Sequence, residues 1–354
     1  MKVNNKIVYQ NLDLLYSEAP EFKLRKRDKW VIFSDLHMGD GGSTDDFKAN
    51  SDLFAKVLRD HYLKEEYGLI LNGDVEELQR FSLNKISKQW GEVYDVFDRF
   101  AVDDKLLKTI GNHDLELSVM ENNPFQYKLL DAFKLKYKKN DLFVFHGHQA
   151  SKKFHKHNKA IGFTLKYLAN PLGIKNYSVA HDSNKQYKIE KRAYGYSAYN
   201  KIASVIGHTH RPLFESLHKV ERLKYKIEEL CRELAHMKVP DNKIIEVIKT
   251  NKKDLKKYYK NNADTNFQNY VYNTIFHIPC LFNSGCVIGK RGMTCLEVED
   301  GKIRLVHWFD KRISKKYLHK SGYEPEALGG TDYYRMILNE ETLEYIFTRI
   351  KLLT

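Results

Sequence analysis

The sequence predicts a layered α/β domain, and three observations carry that prediction. Five short apolar runs, Trp30–Phe33, Leu69–Leu71, Leu106–Ile110, Leu142–Phe145 and Ala203–Ile206, each give way to a glycine and to residues with O or N donors. Between them lie stripes at helical spacing, Phe54, Val57, Leu58 and Tyr62, then Val93, Val96, Phe97 and Phe100. Strand alternating with helix builds layers. The chain also has 354 residues, 42% of them hydrophobic, enough to bury one large core. We therefore expect a single domain over 1–354 that carries insertions.

Bulk properties narrow the ligands. Lys and Arg number 59 against 46 Asp and Glu, a formal net charge of +13. That balance favours anionic ligands: phosphate esters, nucleic acid or an acidic lipid surface met peripherally. The cysteines, Cys231, Cys280, Cys286 and Cys295, form no C-x-x-C pair. This argues against a zinc finger or disulfide framework and for a reducing compartment. Met1–Lys6 lacks the apolar core of a signal peptide. No apolar run approaches the roughly 20 residues of a membrane helix. A cytoplasmic protein is the expectation.

Taken in order, residues 1–29 read as a polar lead with a solvated basic turn at Arg25-Lys26-Arg27. Trp30–Phe33 then opens onto Ser34-Asp35-Leu36-His37. Asp35 and His37 are two apart, so an extended chain points them to one side. A carboxylate and an imidazole aimed at one point suit a divalent metal. Gly39–Asp46 is a glycine loop without the G-K-S/T ending of a phosphate loop.

The second run ends at Gly73-Asp74, and Val75–Leu78 reads as the start of a helix, its Glu76 and Glu77 read either as acceptors behind the donors or, the commoner case, as complements of the helix amino terminus. The third ends in Gly111-Asn112-His113-Asp114, the fourth in His146-Gly147-His148, the fifth in Gly207-His208-Thr209-His210. Five strands ending in such donors describe one site at the carboxyl edge of a sheet, where open α/β folds place ligands.

Two stretches read as helical insertions. Residues 151–201 alternate lysines with tyrosines, and both ends are tied to donor clusters. We expect a lid there that grips an anionic substrate. In residues 213–275, Val220, Leu223, Ile227, Leu230, Leu234 and Met237 form a narrow heptad seam. After the break at Pro240-Asp241-Asn242, a second helix carries Ile244, Ile248, Leu255 and Tyr259. A helical hairpin follows, placed to dock on its own domain, to form a homodimer or to bind a partner.

Ile275–Ile278, Cys286–Gly289, Met293–Val298 and Lys302–Trp308 read as strands of a second sheet. Glu299-Asp300-Gly301 supplies a hairpin turn between the last two. A final helix starts near Asn339 with Leu343, Ile346, Phe347 and Ile350 on one face.

The ordered set D-x-H, G-D, G-N-H-D, H-G and G-H-x-H, quoted above from Asp35 to His210, resembles the motifs of the calcineurin-like metallophosphoesterase superfamily. The likeness extends weakly to Leu281–Gly285. It implies a four-layer α/β/β/α sandwich holding two divalent metal ions. Manganese is the first expectation; Fe, Zn²⁺, Mg²⁺ and Co²⁺ suit the same donors. Carried over by position, Asp35, His37 and His210 resemble ligands of one metal, and Asn112, His146 and His208 ligands of the other, with Asp74 bridging. His113 resembles the histidine that meets the phosphate and protonates the departing oxygen. Asp114 would orient His113. His148 would stand behind the ligands, and His155, His157 and His181 are expected at the surface. The layout is most similar to the branch of bacterial UDP-2,3-diacylglucosamine pyrophosphatases, which also insert a helical lid before G-H-x-H. Two departures from it are His148, where an aspartate is usual, and the 213–275 insertion. The implied activity is hydrolysis of a phosphate ester or pyrophosphate bond. A nuclease, or a scaffold using the hairpin, is the alternative.

Overall fold

In the computed structural model the described residues are 5–152, 154, 182–237, 239, 241–261 and 277–354. The fold is mixed α/β, with two mixed sheets and helices. The chain begins with α1 (Lys6–Glu18), β1 (Glu21–Leu24), β2 (Trp30–Phe33), α2 (Ser51–Val57) and β3 (Gly68–Asn72). Then come α3 (Leu83–Gln89), α4 (Gly91–Ala101), β4 (Leu106–Thr109), β5 (Leu129–Leu130), β6 (Ala132–Tyr137) and β7 (Asn140–Phe145). The middle holds α5 (Ser183–Asn200), β8 (Ala203–Ile206), α6 (Lys219–His236) and α7 (Asn242–Asn261). The chain ends with β9 (Leu281–Asn283), β10 (Met293–Glu299), β11 (Lys302–Asp310), β12 (Glu326–Ala327), β13 (Tyr333–Thr342) and α8 (Leu343–Leu353).

One sheet has the order β1-β6-β7-β8-β9, the other β12-β13-β11-β10-β2-β3-β4-β5. β2, β3, β4 and β5 run parallel, as do β7, β8 and β9. The carboxyl-terminal strands do not found a sheet of their own. β10 pairs antiparallel with β2, Leu296 opposite Ile32, and so extends the first parallel set. The turn at Asp300-Gly301 has both residues at positive φ, 51° and 72°, which suits a tight hairpin between right-twisted strands.

The alternation of side chains along each strand divides the core in two. Val31, Phe33, Leu69 and Leu71 face α2 and α4, meeting Phe54, Val57, Val96 and Phe97. Ile32, Ile70 and Leu107 face the other way, into a cluster with Phe133, Phe143, Val205 and Phe282 of the five-stranded sheet. Val8, Leu12 and Leu15 of α1, Ile189 and Ala193 of α5, and Leu343, Ile346 and Ile350 of α8 join that cluster. Each fully buried aliphatic or aromatic side chain contributes about 1.5–3 kcal/mol.

Several expectations change. The polar lead contains α1, whose Val8, Leu12 and Leu15 are buried at helical spacing. The stretch before the last helix is β13, so the helix starts at Leu343 rather than near Asn339. Cys286–Gly289 is not a strand, because its backbone is satisfied elsewhere. Val287 N–H donates to the Asp35 carbonyl, and Asn50 Nδ2 donates to the Val287 and Gly289 carbonyls. Of Ile275–Ile278, residues 275 and 276 lie outside the described residues, and 277–280 form no strand. Most of the 151–201 stretch, residues 153 and 155–181, is likewise outside them. Its described end is α5, a helix that buries Ile189, Ala193, Tyr194 and Tyr196 in the core. α6 and α7 pack on one another, with Val220, Leu223 and Leu230 of the seam buried and Met237 exposed. Among the described residues no helix is long and apolar enough to cross a membrane.

Candidate metal centre

The ends of β2, β3, β4, β7 and β8 carry all the expected donors, three strands from one sheet and two from the other. Their loops are laced together by backbone hydrogen bonds. Asp35 N–H donates to the Gly73 carbonyl, and both Leu36 and His37 N–H donate to that of Asp74. Gly207 N–H donates to the His146 carbonyl, joining the β7 and β8 ends. The carboxylates are anchored in the same way. His208 N–H donates to both Asp35 oxygens at 3.0 Å, and His113 N–H to Asp74 Oδ1 at 2.7 Å.

This lacing constrains the backbone. Asp35, His37, Asp74, His208 and His210 all have φ between 49° and 64°. Left-handed backbone at a non-glycine residue is costly and concentrates at functional sites. The neighbouring glycines leave room. A Cβ on Gly207 would stand 2.5 Å from Ser34 Oγ, and one on Gly111 would collide with the Asp74 carboxylate.

The side chains converge. His146 Nε2 lies 3.0 Å from Asp74 Oδ2 and 3.9 Å from Asp35 Oδ1. His210 Nε2 is 3.2 Å from Asp35 Oδ1 and 3.1 Å from His37 Nε2, which stands 3.9 Å from Asp74 Oδ2. Three groups have donor atoms all within 4.8 Å of one another: Asp35, His37 and His210; His37, Asp74 and His113; Asp74, His146 and His208. Asp74 belongs to two of them. Asn112 Oδ1 is buried with no hydrogen-bond partner among the described residues, an acceptor left facing inward. Hard and borderline donors packed this tightly, with one orphaned amide oxygen, fit divalent metal ions.

The contacts behind the donors fix their orientation. Glu77 takes His37 Nδ1 on one oxygen and His113 Nδ1 on the other, each at 2.9 Å. The Asn72 carbonyl holds His146 Nδ1 at 2.7 Å. Holding Nδ1 leaves Nε2 of His37 and His146 for the site. Thr209, between two donor histidines, has its hydroxyl on Glu190 at 2.8 Å and its carbonyl on Gln186 Nε2 at 2.9 Å. Asn283 Nδ2 reaches the Gly207 carbonyl and Thr209 Oγ1, both at 2.9 Å.

Asp114 does not orient the His113 ring. Its oxygens accept from Gly111 N–H at 2.5 Å and Val75 N–H at 2.8 Å, and Glu77 occupies the position expected for it. Nor is Val75–Leu78 a helix; it runs beside the first loop, with Glu76 bridged to Met38. Glu77 therefore faces the site instead of complementing a helix end. His148 is half-buried, its ring 5.5 Å from that of His146 and 6.2 Å from that of His208, and its Nδ1 lacks a partner among the described residues. His155, His157 and His181 lie outside the described residues. Glu190, Gln186 and Asn283 carry no motif in the sequence.

In the metal-free chain these charges compensate one another. Burial opposes the charge of His146, but the Asp74 and Asp35 carboxylates outweigh it and push its pKa up to about 10. His113 behaves alike: against burial, Asp74 and Glu77 raise it to about 9. Burial pulls His37 down and, with His146 nearby, takes His208 down to about 3. Burial would raise Asp35, Asp74 and Glu77, but the surrounding imidazoles hold all three below their ordinary values, Glu77 at about 2. Burial raises Asp114 to about 7 even with Lys108 nearby.

No protein-family model matches the chain. No curated protein matches it either. The functional reading therefore rests on the geometry and on the motif resemblance.

Proposed function

We propose that the protein is a metal-dependent phosphoesterase that hydrolyses a phosphate ester or pyrophosphate bond at this centre. The observation that carries the reading is the place of Asp74: it groups with His146 and His208 on one side and with His37 and His113 on the other, His37 also grouping with Asp35 and His210, and its Oδ1 is fixed by a backbone N–H. A carboxylate so placed suits a bridge between two ions. In this reading Asp35, His37 and His210 would hold one divalent ion, and Asn112, His146 and His208 the other. The two sheets sharing one core, with α2 and α4 beyond one and α1 and α5 against the other, support the four-layer α/β/β/α sandwich of the superfamily.

Divalent ions held there would screen the phosphate oxygens and acidify a water. The chain's own residues do the rest. His37 and His146 present Nε2 because Glu77 and the Asn72 carbonyl hold the opposite nitrogens. His113 is held by the Glu77 carboxylate, which favours its protonated form, and from there it can give a proton to the departing oxygen. Glu77 fixes the ring from which that proton leaves.

The test is hydrolysis of p-nitrophenyl phosphate beside bis-p-nitrophenyl phosphate, using stripped protein with Mn²⁺, Zn²⁺ or Mg²⁺ added back. We expect turnover that requires metal. Asp74→Asn should abolish most of it. His113→Ala should lose about 10²–10⁴-fold in rate while still binding the metals. Near-normal rates in both variants would refute the assignment.

A further inference from the structure

The chain leaves His210 through Arg211 and enters α6 at Lys219. Arg211 Nη2 lies 3.0 Å from His218 Nε2, and His218 Nε2 lies 3.1 Å from Glu190, which also holds Thr209. The start of α6 is thus tied to the loop that carries His208 and His210.

That start is an unusual helix end. His218 at the N-cap gives no side-chain hydrogen bond to the first turn. The first turn of a helix exposes N–H groups and the positive end of the dipole, so carboxylates stabilise it and cations do not. Here Lys219 and Arg222 flank the single acid Glu221. Arg222 Nη1 is buried without a hydrogen-bond partner among the described residues, and so is Glu221 Oε2. Burial lowers Arg222 to about 10. A buried guanidinium nitrogen with nothing to donate to is a cost that an anion would remove.

More cations surround this point. Lys219 feels Lys320, Arg222 and Lys316; Lys316 in turn feels Arg291, Lys257 and Lys320. Burial together with these like charges lowers both Lys219 and Lys316. The carboxylate facing them is Asp254 of α7, which pairs with Lys320 at 3.2 Å. Lys316 lies 5.0 Å over the Tyr317 ring and Lys320 4.7 Å over that of Tyr323. His307, buried beside the same lysines, is driven down to about 4 by that burial, its hydrogen bond to the Arg291 carbonyl notwithstanding, and adds no compensating charge. Six cations gathered against Asp254 and Glu221 repel one another unless an anion joins them.

We propose that this seam, formed by the start of α6, by α7 and by residues 311–323, binds a phosphate group of the substrate other than the one being cleaved. It rests on the phosphoesterase reading for its role in turnover, but the anion site stands on its own contacts. The phosphate comes from a polyphosphate chain or from a nucleic-acid backbone, which offer the same chemistry.

The experiment is equilibrium binding to the full-length, metal-free protein, with inorganic tripolyphosphate and with a short fluorescent single-stranded oligonucleotide as probes. The variant is Lys219→Gln with Lys316→Gln; Lys351→Gln on α8 is the control. We expect the double variant to weaken binding about tenfold and the control to bind like the wild type. Tripolyphosphate binding without the strand would identify a small polyphosphate substrate. Strand binding that falls more steeply with salt would identify a nucleic-acid backbone. Binding of neither probe, or equal binding by wild type and double variant, would overturn the proposal. Because no arm depends on turnover, a failure of the phosphoesterase reading would show separately, as absent ester hydrolysis with probe binding intact.

Discussion

Glu77 holds two imidazoles with one carboxylate, and both depend on its being an acceptor at each oxygen. A glutamine there accepts from one ring and turns an N–H₂ toward the other. Glu77→Gln should therefore weaken metal binding about 10–100-fold, read by competition titration of the stripped protein, and lower turnover with it. The residues that the structure gathers here were legible as candidates because each follows an apolar run with a glycine close by. Glu77 was legible as an acceptor behind the donors but ranked below a helix-end role, because Val75–Leu78 looks like a first turn; the β-bridge to the neighbouring loop decides between the two. Asp114 misled for a related reason. Adjacency to His113 in sequence suggested a side-chain contact, whereas a tight loop spends that carboxylate on its own backbone N–H groups.

At the scale of elements, the strands that build the site were legible from their apolar runs, and α2 and α4 from helical spacing. α1 escaped because three buried residues in a polar lead make a faint stripe, and β13 because its burial is partial along most of its length. α5 shows how composition misleads. Its lysines and tyrosines read as part of a lid, yet Tyr194 and Tyr196 are core residues and Glu190 is fully buried against Thr209 and His218. This helix braces the G-H-x-H loop. Glu190→Ala leaves the Thr209 hydroxyl without its acceptor and removes the carboxylate beside His218, costing about 1–3 kcal/mol for the lost hydrogen bond. Metal affinity should fall along with the melting temperature. Glu190→Gln, which keeps an acceptor for Thr209, should recover most of the stability.

For the whole molecule, the pKa values set a pH profile of the metal-free protein. His113 and His146 are raised to about 9 and about 10. Their contribution is fully present below about pH 6.5, the ordinary histidine value, and is lost as pH rises through 9 and 10. Asp35, Asp74 and Glu77 are depressed, so theirs is present above about pH 4.5 and lost as pH falls further. The stripped protein should melt highest between these limits and several degrees lower near pH 10. Metal would displace the proton of His146, a ligand in the proposed reading, so the metal-loaded protein should keep only the part of the alkaline decline that comes from His113. Differential scanning calorimetry of both forms checks this.

The stitching of the strand-end loops to one another has a consequence for exchange. Loops at a sheet edge ordinarily breathe one at a time. Here the amides of Leu36 and His37 both bind the Asp74 carbonyl and that of Gly207 binds the His146 carbonyl, so each strand-end loop is held by a loop other than its own and opening one strains its neighbour. In the proposed reading an ion would then exchange without a loop swinging aside, past His113 and His210, whose side chains are 14% and 15% exposed where Asp35, Asp74 and His146 are sealed.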